Sequence, residues 1–180
     1  FINANFSFSI YFKEGNFMKK FFLFLVLGFI MTINFNANSQ DLAIEDRYKI
    51  IDNMNKYAIG IDTKDYTLFR SIFSDDVVVK VVYDPNWRGG GEVKFEGLNN
   101  WVDYVETAIS QYRNTQHMLG NPMIAFDGNI AIVRTDLQAT HYYKDKPDTS
   151  TTLWGYYETH MVKDNNWKII KHTLTSYGSD

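Results

Sequence analysis

Between Gln111 and His117 the hydrophobic period of the chain changes from that of a helix to that of a strand, and this change most narrows the possible folds. Before it, apolar residues recur every three or four positions: Ile44, Tyr48, Ile51, Tyr57 and Ala58 predict a helix over 43–60. A shorter helix is predicted over 63–73, capped by Thr63, with Tyr66, Phe69, Ile72 and Phe73 on its buried side. Leu98, Trp101, Val102, Val105 and Ile109 predict a third over 97–111. The β-branched run Val77–Tyr83 interrupts the helices as a strand, and Asp84-Pro85-Asn86 with Gly89-Gly90-Gly91 make an open loop after it. Beyond the change come four β-rich runs, 117–126, 129–144, 149–163 and 167–177, parted by short turns such as Asp127-Gly128 and Asp164-Asn165-Asn166. Turns this short join neighbours as hairpins, so the runs form an antiparallel meander. Strands this long twist, and a long twisted sheet packed on helices curls. The expected fold is α+β: three N-terminal helices on a strongly curved mixed or antiparallel sheet that encloses a pocket.

The folded domain is expected to begin near Asp41, because the preceding residues read as addressing. Met18-Lys19-Lys20 leads a 13-residue apolar run, Phe21–Ile33, and Ala37-Asn38-Ser39 places small residues where a signal peptidase cuts. The run falls short of the roughly 20 residues that span a bilayer, so residues 18–40 read as a signal peptide cleaved near 39–40, with no permanent membrane anchor. Residues 1–17 read as upstream leader outside the mature protein, and export to a bacterial periplasm or the extracellular space is expected. Residues 41–180 then make one domain. That domain carries 15 Lys and Arg against 20 Asp and Glu, with no basic cluster, which argues against nucleic acid as a partner. The absence of cysteine excludes disulfides, a thiol nucleophile and a thiolate metal site.

Several strings, in order and spacing, resemble the nuclear transport factor 2-like superfamily in its SnoaL-like branch. They are Tyr57-Ala58-Ile59-Gly60-Ile61-Asp62 running into Thr63-Lys64-Asp65-Tyr66, Leu68 to Val77, Gln116-His117, Gly155-x-Tyr157 and Asn166-Trp167-Lys168-Ile169. The resemblance implies a cone-shaped fold and dimerisation through the outer side of the sheet. The functional look-alikes are cofactor-free dehydratases of the scytalone and bile-acid 7α types. Asp62-Thr63-Lys64-Asp65-Tyr66 is similar to the segment carrying the scytalone enzyme's aspartate, Arg113–His117 to that of its first histidine, and His141–Asp145 to that of its second. Tyr57, five residues before Asp62, is similar to the tyrosine of the bile-acid type. The implied catalytic set is Tyr57, Asp62, His117 and His141, with Tyr156 and Trp87 as substrate-binding residues. The chain departs from the scytalone pattern at Ile61 and Val81, where that enzyme's two water-holding tyrosines fall.

The chemistry suits these residue types. Elimination beside a carbonyl needs a base for an acidic C–H and a donor for the departing hydroxyl, and an imidazole oriented by a carboxylate is poised near neutrality. Asp62 would orient His117, the base, while Tyr57 and His141 hold the substrate oxygen or donate to the leaving group. Each residue also has a plain structural reading: Asp62 as a helix cap, His117 as a satisfied strand-edge histidine, His141 as a buried structural histidine, Tyr57 as core. His160 and His172 match no string and stay outside the site. No HxH, HxxxH or phosphate-loop motif is present, so neither metal nor nucleotide cofactor is expected. Two functions follow: a cofactor-independent lyase or isomerase acting on a small hydrophobic carbonyl compound, or an exported ligand-binding or dimerisation module of the same fold.

Overall fold

The computed structural model describes residues 43–87 and 89–180; the expected leader and signal peptide, 1–17 and 18–40, lie outside them. Helix α1 covers 43–63, α2 Tyr66–Ser71 and α3 Leu98–Ile109. Six strands, β1 Phe73–Tyr83, β2 Gly91–Glu96, β3 Tyr112–Asp127, β4 Ile130–Tyr143, β5 Ser150–Lys163 and β6 Trp167–Ser179, form one sheet in the order β2-β1-β6-β5-β4-β3. The expected meander is present, since β3 through β6 pair antiparallel in sequence. The sheet is mixed because β1 pairs parallel to β6. No helix among the described residues is long and apolar enough to cross a membrane.

The helix boundaries differ from expectation for local reasons. Thr63 does not cap α2; it closes α1, its hydroxyl donating to the Ile59 carbonyl at 2.7 Å. Lys64 takes φ 58°, which breaks the helix, and Asp65 becomes the cap by accepting from the Leu68 amide at 2.9 Å. Nor does Asp62 act as a cap, being in the last turn of α1. Gly60 lets α2 approach: a Cβ there would sit 2.9 Å from that of Phe69. The edge strand β2 replaces part of the expected open region; nearly all of it is exposed, so it shows no buried period to read. Strand β3 starts at Tyr112, five residues before the expected start, because α3 stops at Ile109.

The core lies between the helices and one face of the sheet. Ile50, Met54, Tyr57 and Ile61 of α1 and Trp101, Val102, Val105 and Ile109 of α3 are buried against Val77, Val79, Val133, Tyr157, Met161 and Ile169. Two polar contacts position α1 on the β5–β6 end: Asn53 donates to the Trp167 carbonyl at 2.8 Å, and Asp46 accepts from the Trp167 indole at 3.1 Å. Asn53 and Asp46 sit about two and a half and four and a half turns before Asp62, so the placement of the helix on the sheet carries over to its last turn.

Candidate active site

The interior of the sheet and the helices enclose a cavity of about 350 Å³, within the size range of small-molecule sites. Its walls come from every layer: Tyr57 and Ile61 on α1, Trp101, Tyr104 and Val105 on α3, and inward-facing residues of β3 to β6. Aromatic rings dominate. Trp87, in the loop after β1, lies 5.7 Å from Tyr83, and both line the cavity.

His117 and His141 reach it from adjacent strands. The β4 alternation puts Leu137, Ala139 and His141 on the inner face. In β3, His117 lies opposite Ala139, so the two imidazoles come together with ring centroids 5.6 Å apart and planes at 84°. Tyr112 lies 4.8 Å from the His141 ring. Asp62 stands behind His117 rather than in the cavity wall. Its Oδ1 meets His117 Nδ1 at 2.6 Å and accepts from the Thr115 hydroxyl at 2.8 Å, and its Oδ2 accepts from the His117 backbone N–H at 2.8 Å. Burial by itself would raise the Asp62 carboxyl; the His117 ring and amide and the Thr115 hydroxyl outweigh it and hold the group below its ordinary value. An ionised carboxylate offers only lone pairs, so the proton of the His117–Asp62 bond sits on Nδ1. In the neutral ring Nε2 is then the nitrogen with the free lone pair, and the ring forms part of the cavity wall.

His141 is electrically different. Burial, and then the neighbouring His117, lower it to about 4, so near neutrality it is an uncharged hydrogen-bond partner and not a cationic acid. Tyr57 is buried within a ring cluster, 5.1 Å from Phe69, 5.1 Å from Tyr157 and 4.7 Å from His172. Burial raises it well above its ordinary value.

The expected place of Tyr156 requires correction. It is not a cavity residue: its ring lies under Arg134, 4.5 Å from the guanidinium, and 5.7 Å from Tyr177. Successive strand residues point to opposite faces, so Tyr157 is the one that lines the cavity. The sequence held the signal: Glu158 and His160 share Tyr156's face, and charged neighbours mark the outer side.

His172, outside the expected site, is fully buried beneath it, its ring 4.5 Å from Tyr157 and its Nδ1 2.8 Å from the Thr159 hydroxyl. Burial lowers it to about 3. His172 and His141 thus have folded values depressed below the ordinary 6.5, and the unfolded chain binds more protons between those limits. Their contribution to stability is complete above about pH 6.5 and is lost as pH falls toward 4 and 3, amounting to a few kcal/mol by order of magnitude. The urea midpoint is therefore expected to fall from pH 7.5 to pH 5, with a flatter pH slope in His172→Phe. An unchanged slope in that variant would sink the assignment.

Comparison with known proteins agrees with this architecture. Residues 42–173 match the SnoaL-like domain. No curated protein matches the chain. Among solved structures, a scytalone dehydratase-like protein of Novosphingobium aromaticivorans superposes with a TM-score of 0.66 at 24% identity, over 78% of this chain and 90% of that one. The Kfla4162 protein of Kribbella flavida gives 0.65 at 21% identity, over 77% and 95%. The hexachlorocyclohexane dehydrochlorinase LinA-type3 of Novosphingobium barchaimii gives 0.63 at 18%, over 78% and 92%. The matched segment runs from the start of α1 into β6 and takes in the cavity-lining residues except Leu174 and Ser179, and on that match the chain belongs to the SnoaL-like domain family of the nuclear transport factor 2-like superfamily.

Proposed function

We propose that the protein is a cofactor-independent lyase of the dehydratase kind, or an isomerase, acting on a small hydrophobic molecule with a carbonyl group. The observation that carries this reading is the 2.6 Å contact between His117 Nδ1 and Asp62, which leaves Nε2 as a base in the wall of an aromatic-lined cavity. The names of two structural neighbours, a dehydratase-like protein and a dehydrochlorinase, are those of elimination catalysts and support it.

In the proposed reaction His117 Nε2 removes a proton from the carbon beside the carbonyl. The C–H electron pair moves into the carbonyl system, and negative charge gathers on its oxygen. The hydroxyl on the next carbon then leaves with its bonding pair and takes the proton back from Nε2. The products are an unsaturated carbonyl compound and water, and the imidazole is restored. Asp62 stabilises the transient imidazolium and fixes its tautomer, while His141, neutral by burial, holds a substrate oxygen by hydrogen bonding.

The test is a panel of β-hydroxy-ketones, aromatic and alicyclic, followed by absorbance of the unsaturated product. Turnover by the purified protein is expected for at least one. Asp62→Asn should lower it about 10²-fold, because an amide offers one acceptor oxygen where Asp62 serves three donors. Saturable binding across the panel without turnover would replace the lyase reading with that of a ligand-binding protein.

A further inference from the structure

We infer that Lys64 is a positioning residue for the Asp62–His117 pair: its ammonium, held on the Tyr112 carbonyl, secures the bulge at the start of β3 that turns His117 into the cavity. The inference deepens the proposed function and rests on it.

The backbone of Lys64 gives no reason for a lysine. The residue ends α1, its N–H donating to the Ile61 carbonyl at 3.1 Å, with φ 58°. A residue that closes a helix in the left-handed region is usually glycine or asparagine, because a Cβ crowds the backbone there. Glycine would take the same turn without strain. The reason for a long side chain lies at its tip. Nζ donates to the Tyr112 carbonyl at 2.8 Å, a part-buried contact between residues 48 positions apart.

Tyr112 opens β3, and the strand changes parity just after it. Tyr112 and His117 both line the cavity, yet they are five residues apart, and an unbroken strand would send them to opposite faces. The change falls where Tyr112 pairs with Tyr143 and Asn114 with Tyr142, so that β3 advances two residues against one of β4. Arg113 is the extra residue, and its guanidinium donates to the Pro147 carbonyl at 3.1 Å. A bulge of this kind re-aims the side chains that follow it. A one-residue slip of β3 on β4 would take His117 off the inner face.

The end of α1 grips β3 on both sides of that bulge. Before it, Lys64 holds the Tyr112 carbonyl. After it, Asp62, two residues earlier in the chain than Lys64, holds the Thr115 hydroxyl and the amide and ring of His117. The two grips together set the path from residue 112 to 117, on which the 2.6 Å contact of the imidazole with Asp62 depends. With the Lys64 grip released, the strand is held by Asp62 on one side of the bulge, and the imidazole moves more freely against the carboxylate.

The experiment reads His117 directly, by nuclear magnetic resonance of the full-length protein isotope-labelled at its histidine nitrogens. In the wild type the ring proton is expected on Nδ1, so the two ring nitrogens differ widely in shift; His117→Ala assigns them. Lys64→Met and Lys64→Gly both remove the ammonium, and in both the two shifts are expected to converge as the other tautomer gains population. Lys64→Arg keeps a cationic donor of similar reach and should keep them apart. Lys64→Gly should also melt above Lys64→Met, because glycine takes φ 58° freely. The effect on the imidazole then does not follow stability. On a ketone that the wild type dehydrates, kcat should fall about 10-fold in both variants with KM changed less than about 2-fold, and should recover in Lys64→Arg. Wild-type His117 shifts in Lys64→Met and Lys64→Gly, or convergence only in the variant that melts lower, would overturn the inference. If the wild type turns over no ketone, the proposed function fails, while the shifts still decide the role of Lys64.

Discussion

Replacing His117 with alanine is expected to lower turnover of a dehydrated hydroxy-ketone by a factor of about 10² to 10⁴, the usual contribution of a positioned base. The loss should appear in kcat, because the aromatic walls that bind the body of the substrate are untouched. The variant should still fold: the Asp62 carboxylate keeps the Thr115 hydroxyl and the backbone N–H of residue 117. Removing the ring enlarges the cavity next to Asp62, so added imidazole should restore part of the rate. Wild-type turnover in His117→Ala, on a substrate that the native protein dehydrates, would remove this residue from the chemistry.

The largest expected effect on stability comes from Gly155→Ala, at about 3–5 kcal/mol. A Cβ on Gly155 would lie 2.1 Å from the Thr175 carbonyl oxygen and 3.2 Å from the Ser176 Cα. Both are backbone atoms of β6, so no side chain can swing aside. The site is a register shift where Trp154 pairs with Gly178 and Gly155 with Ser176. Ser176 is fully buried and pairs on its other edge with Tyr83 of β1, so a displacement of β6 there spreads through three strands. Gly120→Ala is the control, since a Cβ there meets nothing within 4 Å. Equal urea midpoints for the two variants would show that β5 and β6 have room to part.

The sequence carried most of this architecture in its periodicities and less in its junctions. The strands from β3 onward were legible because long alternating runs are cut by turns such as Asp127-Gly128, and His141 could be placed inward from Leu137 and Ala139 alone. Strand β2 was not, since an exposed edge buries nothing that would leave a pattern. Asp62 and His117 came from resemblance to known strings; their 2.6 Å contact joins residues 55 positions apart, a separation that no local period encodes. Tyr157 was missed by one position. The β4–β5 connection is several residues long and does not fix strand parity as a two-residue turn does, so the inward face of β5 had to be read from where charge falls.

The parallel pairing of β1 with β6 has a consequence for how the protein is made. Residues 73–83 find their partner among 167–179, about 90 positions later in the chain. While the ribosome is still adding that last strand, the hairpins of β3 to β5 can form, but β1 has only the exposed edge strand β2 beside it. The nascent protein therefore waits, with one side of a valine-rich strand unpaired, until β6 has been made.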